Sequence, residues 1–103
     1  MSTKIKDAEK ILQKIRGRPL TFGQLIHSVR LCDEITQIEL ADKLKISRAH
    51  LCDIEKGRRL VSAQRAAQFA KVLGYSIESF VAQALEDQLR QMGLALKITI
   101  EAA

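Results

Sequence analysis

The chain has 103 residues, which gives room for a single domain. It contains three Phe, one Tyr and no Trp, so we expect a core built mainly from aliphatic side chains. No apolar run approaches the roughly eighteen residues that cross a bilayer, and the basic N-terminus lacks the apolar block of a signal peptide. We therefore expect a cytoplasmic protein with no membrane contact.

The positive charge is concentrated in one segment. The net charge is +5, and residues 43–65 carry seven basic side chains against two acidic ones. The remaining residues carry ten basic and ten acidic side chains, which cancel. A localised basic surface favours phosphate binding, although a basic cluster alone is weak evidence for a nucleic acid partner.

Neither a metal site nor a disulfide is expected. Cys32 and Cys52 lie twenty positions apart without a paired spacing, which favours reduced thiols. Zinc ligands usually come in close pairs, and these cysteines form no such pair with His27 or His50. No cofactor is therefore expected.

The patterns of an enzyme are also missing. The sequence has no phosphate-binding glycine loop, no nucleophile motif and no acid–base constellation. Three acidic residues of the C-terminal half are interpreted as solvated helix faces: Glu78, Glu86 and Asp87.

The N-terminal part predicts two helices. Residues 1–16 carry apolar side chains at helical spacing, and Gly17-Arg18-Pro19 ends this pattern. Thr21 and Gln24 then form a capping box, which predicts a helix that ends near Cys32.

Two short helices with a tight turn between them follow. Thr36 and Glu39 form another capping box for a helix over residues 37–44. Ser47 offers the next N-cap, and Gly57 a left-handed stop, for a helix over residues 48–56. Helices so close together have the geometry that places one in a DNA groove while the other crosses the backbone.

Two more helices complete the helical part. Ser62 is predicted to cap a helix that ends at Leu73, and Ser76 to cap a helix that Gly93 stops.

The tail changes from a helical to a strand pattern. Residues 96–101 alternate apolar and polar side chains, which predicts a strand with one buried face. A strand needs a partner, and the same strand of a second copy is a better candidate than the weak pattern at residues 3–6. An irregular tail is the other interpretation. The predicted dimerisation residues are Leu96, Ile98 and Ile100.

Five motifs together resemble the Xre-type helix-turn-helix family, which includes phage repressors and Cro proteins. The motifs are Phe22-Gly23-x-x-Ile26-x-x-x-Arg30, Thr36-Gln37-x-x-Leu40-Ala41, Ile46-Ser47-Arg48, Ile54-Glu55-x-Gly57 and Ala70-x-x-Leu73-Gly74. Lys45 departs from the pattern, because the family usually has Gly there, and Leu60-Val61 replaces Asn-Pro.

The resemblance implies an all-α, five-helix phage-repressor-like domain over residues 20–77. Residues 1–19 would add an N-terminal helix, and residues 78–103 would add a C-terminal helix and a short dimerisation strand. Arg30 and Glu55 would form an internal ion pair that links the first core helix to the recognition helix.

The resemblance also implies DNA contacts. Arg48, Ala49 and Asp53 would face base edges, and the guanidinium of Arg48 can make two hydrogen bonds to guanine. An alternative interpretation of Asp53 is that it repels phosphate instead of contacting a base. The alternative for His50 is that it is an exposed histidine without a role. The positions implied to contact the DNA backbone are Gln37, Lys43, Ser47, His50, Lys56, Arg58 and Arg59.

Two functions follow from these expectations. The first is a homodimeric, sequence-specific transcriptional repressor that binds double-stranded DNA at an inverted repeat. The second is an antitoxin that binds a small toxin protein and represses its own operon, a role that small members of this family often have. The N-terminal helix and the C-terminal strand would then hold the toxin.

Overall fold

Each helix of the structure begins directly after a serine or a threonine. The computed structural model describes residues 21–101, and in it the side chain of each of these residues accepts a hydrogen bond from the backbone N–H three positions later. These bonds satisfy N–H groups that have no partner inside the helix. The helices are α1 (Phe22–Cys32), α2 (Gln37–Leu44), α3 (Arg48–Glu55), α4 (Ala63–Leu73) and α5 (Ile77–Gln91). Their N-caps are Thr21, Thr36, Ser47, Ser62 and Ser76.

The prediction of an all-helical core with five helices is confirmed for the described residues. Both predicted capping boxes are present, at Thr21 and Thr36. The second helix of the motif ends at Glu55, one residue earlier than predicted, and Gly57 has a φ of 76°. The helix predicted for residues 1–16 and the domain boundary at residue 19 lie outside the described residues.

Aliphatic side chains fill most of the core, and the few aromatic residues form one cluster in it. Phe22 of α1 meets the ring of Phe80 edge to face, with the ring centroids 5.7 Å apart. Tyr75 stacks on Phe80 at 5.8 Å, and Phe69 lies 6.4 Å from Phe22. This cluster joins three helices, because Phe22 lies in α1, Phe69 in α4 and Phe80 in α5.

The backbones of α1 and α3 meet at Gly23. A Cβ atom at this position would collide with the carbonyl oxygen of Ile54 and would lie 3.0 Å from that of Glu55. Both obstacles are backbone atoms of α3, which cannot move without moving the helix. Glycine is therefore needed here for close approach.

Helix α5 is linked to the start of α1 by a buried carboxylate. Asp87 Oδ2 accepts a 2.7 Å hydrogen bond from the backbone N–H of Phe22, and the Asp87 side chain is only 11 % exposed. Burial raises the pKa of Asp87, although this N–H and the charge of Arg90 act in the opposite direction. The interpretation of Asp87 as a solvated residue was wrong, because it ignored the packing of α5 against α1.

Residues 94–101 follow α5 without forming a strand with any other described residue. The strand predicted over residues 96–101 is therefore not formed among the described residues, because a β-ladder needs a second strand. Of the predicted dimerisation residues, Leu96 is 58 % exposed, whereas Ile98 and Ile100 are partly buried. Pairing of the tail with a second copy stays a prediction.

Within residues 21–101, none of the helices is both long enough and apolar enough to cross a membrane.

Candidate nucleic-acid interface

Only residues 45–47 separate α2 from α3, and a left-handed lysine makes the turn possible. Lys45 has φ 58° and ψ 42°, at the position where the resembled pattern has Gly. The N–H of Lys45 donates to the carbonyl of Asp42 at 3.2 Å, and the N–H of Ile46 donates to that of Ala41 at 3.0 Å. These bonds close the end of α2, at a cost of about 1 kcal/mol for the left-handed side chain. Ser47 then caps α3.

One side of α3 is fixed in the core and the other is open to solvent. Leu51 and Ile54 are fully buried. At 100° per residue, the opposite side of an α-helix from these two positions carries Ala49, Asp53 and Lys56. Ala49 and Lys56 are exposed and Asp53 is partly exposed, while Arg48 is exposed at the start of the helix. The three predicted base-contacting residues therefore lie on the accessible part of α3.

Glu55 holds α3 to both preceding helices. Its carboxylate is 5 % exposed and accepts hydrogen bonds from Arg30 Nε at 2.9 Å and Arg30 Nη2 at 3.2 Å. Gln37 Nε2, from the first residue of α2, donates to the same carboxylate at 3.2 Å. His27 Nδ1 lies 3.0 Å from it, and carries the hydrogen because an ionised carboxylate only accepts. Arg30 and Glu55 are thus brought together, in a larger network than the sequence implied.

The network keeps Glu55 ionised. Burial alone would raise the pKa of Glu55, but hydrogen bonds from Arg30, His27 and Gln37 stabilise the charged form, and the pKa lies below its usual value. A buried charge with several donors is restricted to one geometry. The orientation of α3 relative to α1 and α2 is therefore set by this one carboxylate together with the apolar contacts of Leu51 and Ile54.

Comparison with known proteins agrees with this geometry. Residues 33–80, from the end of α1 to the first turn of α5, match the family described as "Helix-turn-helix". Over this segment, which is just under half of the chain, the sequence is similar to that helix-turn-helix family, in agreement with the resemblance of its motifs.

One curated relative of this chain is a phage protein. It is the "Immunity repressor protein" of Bacillus phage phi105, which is 34 % identical over 64 residues. The match covers 62 % of this chain and 44 % of the relative, so the chain spans less than half of the relative's length. No solved structure matches the chain.

Basic side chains surround the open face of the helix-turn-helix motif. The lysines and arginines that the resemblance implies as contacts of the DNA backbone are all exposed: Lys43, Lys56, Arg58 and Arg59. Arg58 Nη1 lies 3.7 Å from Asp53 Oδ1, and both side chains are largely exposed, so this ion pair contributes little to stability. The pair nevertheless places Asp53 beside a guanidinium, which partly neutralises the one acidic residue on the open face.

His50 lies beside a basic residue that the sequence reasoning did not assign to the interface. Its Nε2 is 3.4 Å from Nη1 of Arg65, on α4. Burial lowers the pKa of His50, and the charges of Arg59 and Arg65 lower it further, so the imidazole is neutral at pH 7. Arg65 thereby extends the basic surface from the motif onto α4.

The sequence did not identify the bonding partner of two other residues of the site, His27 and Gln37, which both donate to Glu55. His27 was considered only as a metal ligand, whereas for Gln37 the resemblance implied both a contact with the DNA backbone and a role in bracing the recognition helix. For His27 a signal existed, because it lies three positions before Arg30 and hence on the same side of α1. For Gln37 no local signal exists, because its partner is eighteen positions away and depends on how α2 packs on α3.

Proposed function

We propose that this chain is a sequence-specific regulator of transcription, a repressor, which binds double-stranded DNA through α3. The observation that carries the proposal is that α3 has two distinct faces. Its open face carries Arg48, Ala49 and Asp53, and its buried face is held in place by Glu55. The name of the phage phi105 relative, an immunity repressor, supports the same function.

The size of α3 suits the major groove. Eight residues at 1.5 Å per residue give a helix of about 12 Å, and the major groove of B-DNA is about 12 Å wide. Arg48 and Ala49 are at the N-terminal end of α3, which is the part that contacts base edges in this motif. Neither residue is covered by another helix of the described chain.

Arg48 is the principal candidate for base recognition. Its guanidinium matches the O6 and N7 acceptors of guanine, and a bidentate contact of this type discriminates between bases by about 1–3 kcal/mol. Ala49 leaves space for a base or for a thymine methyl group. Asp53, one turn further along, has one carboxylate oxygen 3.7 Å from Arg58 and can accept from a cytosine amine through the other.

The surrounding residues supply affinity without sequence information. Gln37 begins α2, where the free N–H groups and the helix dipole attract a phosphate. The basic side chains release counterions when they contact phosphates, so binding weakens as the salt concentration rises. This set of proposed backbone contacts comprises Gln37, Lys43, Ser47, His50, Lys56, Arg58 and Arg59.

A homodimer is part of the proposal. A single helix of eight residues makes few base contacts, whereas two copies double the contacts and read an inverted repeat. The half-sites would then lie about 34 Å apart, one turn of the duplex. The exposed tail residue Leu96, together with Ile98 and Ile100, is the proposed dimerisation segment.

Selection of binding sites from a random pool of DNA duplexes tests this function. The experiment compares the wild-type protein with Arg48→Ala and with Lys71→Ala, an exposed basic residue on the last turn of α4 that serves as a charge-matched control. We expect an inverted repeat for the wild type and for the control. Arg48→Ala should lose about 1–3 kcal/mol at each half-site, so the dimer should bind that repeat at least about 30-fold more weakly, and it should accept other bases at one position of each half-site.

Two results would count against the proposal. Enrichment of no sequence, with salt-sensitive binding to every duplex, would show that the chain alone is not sequence-specific. Equal losses for Arg48→Ala and Lys71→Ala would show that Arg48 acts only through its charge.

A further inference from the structure

The tail has two distinct faces although it pairs with no other strand of residues 21–101. Ile98 and Ile100 are partly buried, whereas the three residues that alternate with them, Lys97, Thr99 and Glu101, are exposed. Alternation with a period of two is the signature of an extended chain, whose successive side chains point in opposite directions. Residues 97–101 therefore turn their two isoleucines toward the protein and their polar side chains toward solvent.

One backbone bond also defines the two edges of the tail. The N–H of Ile98 donates to Oε2 of Glu86, on α5, at 2.9 Å. Glu86 is therefore not the solvated residue that the sequence suggested. In an antiparallel ladder the N–H and C=O of a residue point to one edge, and those of its neighbours point to the other. The edge of Ile98 is thus occupied by α5, and the edge of Lys97, Thr99 and Glu101 faces outward.

The outward edge is open for pairing. Among residues 21–101, no hydrogen bond joins the backbone of Lys97, Thr99 or Glu101 to another residue. An exposed edge with regular alternation is a site for a further strand. The neighbouring apolar residues Met92, at 66 % exposure, and Leu94, at 46 %, would add apolar contact to such an interface.

We infer that a second copy of this chain occupies this edge, as an antiparallel strand whose two-fold axis passes between the two Thr99 residues. The inference rests on the homodimer of the proposed function and specifies its contact. Lys97 of each copy would lie opposite Glu101 of the other, and Ile98 opposite Ile100. The tail sequence Lys-Ile-Thr-Ile-Glu is self-complementary in charge and in apolarity only in this register.

Other registers bring like charges together or form no opposite-charge pair. Pairing centred on Ile98 is compatible with the bond to Glu86, but it places Lys97 opposite Thr99, and pairing centred on Ile100 likewise places Glu101 opposite Thr99. Pairing centred on Lys97 would place two lysines opposite each other, and pairing centred on Glu101 would place two glutamates opposite each other. Like charges directly opposite are destabilising. The Thr99 register forms about six backbone hydrogen bonds and two opposite-charge pairs.

Cysteine cross-linking tests the register. The native thiols are first removed as Cys32→Ser and Cys52→Ser, because Cys32 is exposed and Cys52 partly so. In this background Thr99→Cys is expected to form a disulfide-linked dimer on mild oxidation, since directly opposed Cα atoms lie about 5.5 Å apart. Lys97→Cys is the matched control, because its two thiols would be offset by four residues, about 13 Å along the strand.

Charge exchange tests the pairs independently of thiol chemistry. Lys97→Glu and Glu101→Lys each replace two attractive pairs with two repulsive ones, so the dimer dissociation constant should rise by about 10- to 100-fold. The double variant Lys97→Glu/Glu101→Lys restores opposite charges and should return to within a few-fold of the wild type. Sedimentation equilibrium measures these constants without DNA, and circular dichroism verifies that each variant is folded.

The outcomes separate this inference from the DNA-binding function. Cross-linking of Lys97→Cys instead of Thr99→Cys, or no recovery in the double variant, would overturn the register. A monomeric wild type, with no cross-link at either position, would overturn the strand dimer altogether. Sequence-specific DNA binding by such a monomer would leave the function of α3 intact, whereas a cross-linked dimer that selects no DNA sequence would overturn the function and leave the dimer intact.

Discussion

Replacing Glu55 with Ala is expected to destabilise the domain by about 3 kcal/mol. The change removes the acceptor of three side chains, of which Arg30 matters most because it stays charged. Arg30 is 15 % exposed and would keep its 3.3 Å bond to the carbonyl of Ile35 and its 3.2 Å contact with Nδ1 of His27, but no anionic partner among the described residues. A buried charge that loses its partner costs about 3–5 kcal/mol, and the residual solvent contact of Arg30 places this case at the lower end.

Thermal unfolding followed by circular dichroism measures this effect. For a domain of this size 1 kcal/mol shifts Tm by about 4–8 °C, so Glu55→Ala should lower Tm by roughly 12–24 °C. Glu78→Ala, which removes an exposed glutamate from the first turn of α5, is the control and should change the stability by less than about 0.5 kcal/mol. The double variant Arg30→Met/Glu55→Leu removes both charges and should recover much of the loss. An unchanged Tm for Glu55→Ala would refute the reasoning.

The lowered pKa of Glu55 gives a second test with a defined sign. In the unfolded chain this carboxyl titrates near its unperturbed value of 4.5, and in the folded protein it titrates at a lower pH. The unfolded state therefore takes up the proton first, and the stability that ionised Glu55 contributes is complete above pH 4.5 and is lost as the pH falls through the folded pKa. The difference in Tm between the wild type and Glu55→Gln should accordingly shrink as the pH falls from 7 to 3. A constant difference over that range would contradict the assigned shift.

Four further predictions concern single sites. Gly23→Ala should lower the free energy of unfolding by more than about 2 kcal/mol in chemical denaturation, since its Cβ meets backbone atoms of α3. Lys45→Gly should raise the free energy of unfolding by about 0.5–1 kcal/mol in the same assay, because it removes left-handed strain. Lys56→Ala should reduce the slope of log K against log salt by about one per subunit without changing the selected DNA sequence. Asp87→Asn should raise Tm at pH 7 but not at pH 3, because burial raises the pKa of Asp87 and protonation then removes the cost of its charge.

The sequence predicted those parts of the fold that depend on local interactions. A capping box joins residues three positions apart, so Thr21 with Gln24 and Thr36 with Glu39 identify the starts of α1 and α2 without any knowledge of packing. The left-handed conformation of Lys45 was expected because the neighbouring motif residues identified its place in the turn. Glu34 adopts the same conformation, with φ 55°, and nothing in its own sequence context indicated it.

Contacts between residues far apart in the chain could not be predicted from the sequence. Asp87 and Phe22 are 65 positions apart, and an aspartate on an amphipathic helix looks solvated until the neighbouring helix is in place. Glu86 is similar, because its acceptor role depends on the path of the tail after Gly93. Arg30 and Glu55 were paired only through the resemblance to the Xre-type family, and the two additional donors to Glu55 became visible only in the packed structure.

Three successive contacts connect the proposed dimer strand to α3, the helix proposed to read DNA. Ile98 of the tail is bonded to Glu86, and the next residue of α5, Asp87, is bonded to Phe22 at the start of α1. The residue after Phe22 is Gly23, whose backbone contacts the carbonyls of α3. Between these contacts the path runs from Glu86 to Asp87 within α5 and from Phe22 to Gly23 within α1, so no flexible loop links one contact to the next. In the proposed dimer the distance between the two α3 helices is therefore set by helix packing, and a change at Gly23 should alter the preferred spacing of DNA half-sites as well as stability.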